Sequence, residues 1–94
     1  MRTVAVVTSV LLGFAATGVA LASEDLAKKN GCTGCHSVDA KKVGPSFKSV
    51  SAKYKGKVDA EASLVAELGD SKKHPPNKAS PEDRATLVKW ILSL

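Results

Sequence analysis

Cys32-Thr33-Gly34-Cys35-His36 sets two thiols and one imidazole within five consecutive residues. Two thiols held two residues apart reach both vinyl groups on one edge of a porphyrin and can close thioethers with them. The side chain that follows then lies beneath the ring centre and offers an imidazole nitrogen to iron. This is the spacing of covalent c-type haem attachment. Gly31 and Gly34 flank Cys32 closely and let the backbone approach a flat ring. The chain's other histidine, His74, stands among Lys72, Lys73 and Lys78. It reads either as a solvated side chain or as a second nitrogen donor.

Zinc is the first competing chemistry. A structural zinc site takes four ligands, and beyond Cys32, Cys35 and His36 only His74 remains as a soft donor. A thioredoxin-like dithiol is the second, and it requires a βαβ setting that this sequence does not offer. A disulfide between Cys32 and Cys35 would close too short a loop to constrain much of the chain.

The N-terminus bears on the same question. Met1-Arg2-Thr3 is a short positive start, and residues 4–20 are apolar apart from Thr8, Ser9, Thr17 and two glycines. Ala20-Leu21-Ala22 follows with the small-x-small pattern of signal-peptide cleavage. A signal peptide over residues 1–22 and a mature domain over 23–94 are therefore expected. The alternative is an uncleaved anchor, because the apolar run nearly spans a bilayer. Its hydroxyl residues, and the lack of a basic cluster after it, favour cleavage. The mature chain is then periplasmic with no stable membrane anchor, and haem attachment takes place outside the cytoplasm.

Residues 23–94 make one small domain, of a size that buries only about 60% of its unfolded surface and is marginal without a staple or cofactor. A buried porphyrin would supply the missing core. The 13 Lys and Arg of this part exceed its 9 Asp and Glu, leaving +4. Arg84 is its one arginine, and the arginine and aromatic interleaving that reads bases is missing, so no nucleic-acid partner is expected. A lysine-rich face suits docking onto an acidic redox protein.

Helical patterns must position these residues. Ser23 is a candidate N-cap for a first helix that takes in Leu26-Ala27 and runs into Gly31. Ser46 caps a second, in which Phe47, Val50 and Tyr54 share a face. Asp59 caps a third bearing Leu64, Val65 and Leu68, with Gly69 placed to end it. Ser80-Pro81-Glu82-Asp83 joins an N-cap, a proline at N1 and an acid at N3. Leu87, Val88, Ile91 and Leu94 follow as an apolar stripe, with Trp90 beside it. Period-two alternation is too short for a strand, so the class is all-α.

On these features the chain resembles the small class I bacterial cytochromes c of the c551/c552 type. The matching residues are the motif at the end of the first helix, Val43-Gly44-Pro45, the Pro75-Pro76-Asn77 turn, and Leu87-Val88-Lys89-Trp90-Ile91-Leu92. The resemblance implies about four short helices around one covalently bound haem c, and single-electron transfer between periplasmic redox partners rather than enzymatic catalysis. It also implies that the Pro45 carbonyl accepts a hydrogen bond from the second nitrogen of His36, which fixes the tautomer. An ordinary turn proline is the plain alternative. Asn77 joins Pro45 among the implied cofactor contacts.

One departure from that family stands out. There, methionine precedes Pro-Pro-Asn and its sulfur is the sixth iron ligand, whereas this chain has His74-Pro75-Pro76-Asn77 and its one methionine is Met1. His74 is accordingly expected to join His36 on the metal, since imidazole suits iron. Five-coordinate iron, or a lysine or water ligand, remains open. Imidazole in place of a thioether lowers the expected potential. The stretch Asp70–Lys73 is shorter than in the relatives. It lacks the tryptophan, and Glu67 lacks the nearby basic residue, that hold the haem propionates there, so surrounding lysines or solvent must balance them. Lys28, Lys29, Lys41 and Lys42 flank the expected haem edge, as a docking face or as a solubilising surface. Two other roles stay open: a haem protein that binds nitric oxide, carbon monoxide or peroxide when His74 swings away, and a relay subunit of a larger redox complex.

Overall fold

The computed structural model describes residues 17–94, with side chains from Ser23 onward. Residues 1–16 of the expected signal peptide lie outside the described residues. Four α-helices follow in order, α1 (Thr17–Lys29), α2 (Phe47–Tyr54), α3 (Ala60–Leu68) and α4 (Pro81–Leu92), with a turn of 3-10 helix at Cys32–Gly34. No strand occurs among the described residues. The fold is all-α, and the βαβ setting of a dithiol oxidoreductase is missing. Nor is any helix among the described residues long and apolar enough to cross a membrane.

Two helix starts follow the local rules. The Ser46 hydroxyl accepts from the Ser49 N–H at 3.0 Å, and the Ser80 hydroxyl accepts from the Asp83 N–H at 3.1 Å, with Pro81 opening α4. The start of α1 differs from expectation, and α3 starts where expected without a side-chain cap bond. Ser23 is not an N-cap in this chain, because α1 begins at Thr17 and Ser23 sits buried within it. Ala20, Leu21 and Ala22 are strong helix formers and carry the helix past Ser23. Asp59 precedes α3, but its side chain caps no backbone N–H. Gly69 ends α3 in right-handed geometry (φ −87°) rather than the left-handed form of a glycine cap. Leu94 lies beyond α4 and is exposed, so the apolar stripe of that helix ends at Ile91.

Helix α4 is the hub and packs on α1, α2 and α3. Its Leu87 and Trp90 join Ala27 of α1, Phe47 of α2 and Ala79 in one buried cluster. Trp90 meets Phe47 edge-on, with ring centroids 5.5 Å apart. Three of these five core residues are larger than alanine, which is a small apolar core for the domain they support.

Candidate haem-binding site

The cysteine motif is set by the way α1 stops. Gly31 takes φ +78°, a left-handed value that suits glycine, and its N–H donates to the Lys28 carbonyl at 3.1 Å. The chain then coils once, with the Cys35 and His36 N–H groups both donating to the Cys32 carbonyl at 3.2 and 3.0 Å. Cys32 packs half-buried against the core cluster, Cys35 is exposed, and both thiols are free. Burial pushes the Cys32 thiol up, against the lowering influence of a backbone hydrogen bond.

His36 is held on three sides. Its Nδ1 lies 2.7 Å from the Pro45 carbonyl oxygen. A carbonyl only accepts, so this contact assigns the proton to Nδ1 and leaves Nε2 with the lone pair. Gly44 donates its N–H to the Cys35 carbonyl at 2.8 Å, and a Cβ at Gly44 would fall on the His36 ring. Phe47 stacks on the imidazole at 5.3 Å between centroids. The Phe47 and Lys48 N–H groups donate to the Ser37 and Val38 carbonyls at 2.9 and 3.1 Å, which fastens the start of α2 to the segment after the motif.

His74 stands across from this wall. Its Nδ1 lies 2.8 Å from the Pro75 carbonyl oxygen, which again leaves Nε2 as the free nitrogen. The two imidazole centroids are 6.1 Å apart and their planes differ by 11°. Asn77 anchors the following turn, donating from Nδ2 to the Leu68 carbonyl at 2.9 Å and accepting from the Ala79 N–H at 3.1 Å.

A cavity of about 830 Å³ opens between these walls, with Cys32, Cys35, His36, His74, Pro45 and Asn77 all on its lining. Leu64, Leu68, Leu87, Val88 and Ile91 give it apolar sides, and Lys53, Lys73 and Lys78 are also on its lining. The volume is at the upper end of ligand pockets, about 300–1,000 Å³. Among the described residues no three His, Cys, Asp or Glu side chains converge on a metal site, so the zinc reading finds no cluster. A large, mostly apolar slot with two thiols and two imidazoles on its lining fits a porphyrin and its iron.

The family model for cytochrome c matches residues 20–94. This chain belongs to the cytochrome c family. The cytochrome is 39% identical to cytochrome c-551 of Pseudomonas aeruginosa, the match covering 88% of this chain and 93% of that protein. It is 46% identical to cytochrome c-551 of Allochromatium vinosum, covering 80% and 88% respectively. The class 1 cytochrome MtoD of Sideroxydans lithotrophicus ES-1 superposes with a TM-score of 0.67 at 40% identity, covering 85% of this chain and 97% of that one. Wild-type cytochrome c552 of Nitrosomonas europaea gives 0.65 at 37% identity, covering 76% and 98%. The cytochrome is thus a small class I, monohaem c-type protein that carries one covalently attached haem c and transfers electrons.

Three residues of this cytochrome's site were not singled out from the sequence. Phe47 reads there only as part of a helix face, and nothing local says that the face meets an imidazole. Gly44 reads as one residue of Val43-Gly44-Pro45, and the ring that excludes a side chain lies eight positions back. Asp70, whose carboxylate accepts from the Lys72 N–H at 2.9 Å, carries the one usable signal, since Asp-Ser-Lys is a common start for an Asx turn.

Proposed function

We propose that this cytochrome is a one-electron carrier in which His36 and His74 would both hold the haem metal, giving a potential below that of methionine-ligated cytochromes of its type. The observation that carries the reading is the 6.1 Å spacing of the two imidazole centroids across one cavity. Two metal–imidazole bonds of about 2 Å each, plus the two ring radii, span about 6 Å. The Nδ1 of each ring is engaged by a carbonyl, which reserves Nε2 for a metal and raises its basicity.

The bound haem supplies a metal that alternates between ferric and ferrous. The chain's residues do the rest. Cys32 and Cys35 fix the ring edge, Pro45 and Phe47 hold the His36 plane, and Asn77 keeps the turn after His74 in place. Lys53, Lys73 and Lys78 line the cavity and would offer cations to the two porphyrin carboxylates, in place of the tryptophan and the basic residue near Glu67 that related cytochromes place there.

Export with cleavage after Ala22, and a periplasmic site of action, complete the reading, supported by the apolar run and Ala20-Leu21-Ala22. The partners are acidic redox proteins that meet Lys28, Lys29 and Lys41 at the exposed edge beside Cys35 and Val43. Lys42 already donates to the Thr33 carbonyl at 2.9 Å, so it adds charge there but less reach. Absorption and paramagnetic-resonance spectra of the purified holoprotein test the ligand assignment. A low-spin ferric spectrum without the long-wavelength methionine band is expected, whereas a high-spin spectrum at neutral pH refutes it in favour of a ligand-binding haem protein.

A further inference from the structure

Five residues connect Leu68, the last of α3, to His74, and one of them does most of the shaping. The Asp70 N–H donates to the Glu67 carbonyl at 3.1 Å, which ties it to the end of the helix. Its own carbonyl accepts from both the Lys73 and His74 N–H groups at 3.0 Å. Its carboxylate Oδ1 accepts from the Lys72 N–H at 2.9 Å. Downstream, Asn77 returns the chain to the Leu68 carbonyl. The segment bearing His74 is therefore stapled at both ends to the last turn of α3.

Ser71, Lys72 and Lys73 are exposed, so packing does not define this turn and hydrogen bonds must. The backbone bonds survive any side-chain change, and the carboxylate bond is the one that a substitution removes. We infer that Asp70 is the positioning residue for His74: its Asx turn sets the ring before any metal is bound. The inference rests on His74 being the sixth ligand. A preset ring keeps its attachment because little conformational freedom is lost on each rebinding. With the turn loosened, the ring leaves the metal more often and the entering group finds the site open.

The test uses the ferrous holoprotein and carbon monoxide, whose binding requires that His74 depart first. Asp70→Ala should bind carbon monoxide roughly tenfold faster than wild type, the scale of one lost capping bond. Its low-spin form should also be lost at a higher pH on acidification. Asp70→Asn keeps an oxygen for the Lys72 N–H and should stay within about twofold of wild type. If Asp70→Ala yields no holoprotein, Asp70→Glu replaces it, because the longer arm carries the oxygen away from that N–H.

An Asp70→Ala protein that matches wild type in rate, even with a lowered melting temperature, overturns the inference. So does an Asp70→Asn protein as fast as Asp70→Ala, since charge rather than the turn would then be at work. A wild type already high-spin at neutral pH overturns the sixth-ligand reading itself, and that result appears before any variant is made.

Discussion

The imidazoles of His36 and His74 face one cavity with their centres 6.1 Å apart, although 38 positions separate them in the chain. They are held differently, His36 by remote residues and His74 by its near neighbours. His36 packs on Phe47 and bonds the Pro45 carbonyl, and His74 bonds the Pro75 carbonyl while its backbone N–H donates to the Asp70 carbonyl. The pair is arranged by two separate pieces of backbone that meet only because α4 holds α1, α2 and α3 together.

Replacing His74 is the most direct probe of that pair. His74→Ala should give high-spin iron that binds carbon monoxide readily when reduced. His74→Met should raise the midpoint potential, because sulfur favours ferrous iron. Acid should convert wild type to high-spin, since a proton competes with the metal for Nε2 and ligation is lost as pH falls. A His74→Ala spectrum identical to wild type would assign the sixth position to another group.

Gly44 tests the other ring. Gly44→Ala places a methyl on the His36 imidazole, and the ring can yield only by leaving Phe47 or the Pro45 carbonyl. A loss of about 1–3 kcal/mol is expected, measured by denaturant unfolding of the holoprotein. A perturbed Soret band should accompany it. Gly34→Ala, where the new carbon meets no residue beyond its own chain neighbours within 4 Å, is the comparison.

Trp90 links the site to the hub helix through its edge contact with Phe47. Trp90→Ala should cost about 3–5 kcal/mol, a large part of the roughly 5–15 kcal/mol typical of a domain. Trp90→Phe keeps a ring against Phe47 and should recover more than half of the loss. Urea midpoints followed by far-ultraviolet circular dichroism give both values.

The lysines on the cavity should tune the potential. A cation beside the porphyrin favours the form with one more electron, so Lys53→Gln and Lys73→Gln should each lower the midpoint. Glu67→Gln, on the same lining, should raise it. Shifts of a few tens of millivolts are expected at low salt, read by voltammetry. No shift in any of the three would mean that solvent alone balances the carboxylates.

Docking through lysines predicts a dependence on ionic strength. Electron transfer to an acidic partner should slow as salt rises, because the Debye length falls from about 10 Å at 0.1 M to about 3 Å at 1 M. Stopped-flow rates that stay flat over this range would remove charge from the docking step.

Much of this cytochrome was legible in its sequence because the chemistry is local. Five consecutive residues carry the attachment motif, and covalent spacing alone brings thiols and imidazole to one ring. Ser46 and Ser80-Pro81 announce helix starts through bonds that reach only three residues, and both form. His74 before Pro75-Pro76 shows that methionine cannot fill that slot. The start of α1 was not legible, since Ala20, Leu21 and Ala22 favour helix and the cost of Gly18 does not stop it before Thr17. The ends of α3 were legible, since Asp59 stands at its N-cap and Gly69 at its C-cap, although the Asp59 side chain bonds no backbone group and Gly69 keeps a right-handed φ, its missing Cβ leaving room for Arg84. Tertiary structure alone decided that Phe47 lies under His36, that Gly44 admits no side chain, and that the two imidazole centroids stand 6.1 Å apart. Those facts depend on distances between segments remote in sequence, which packing around α4 sets and no local pattern encodes.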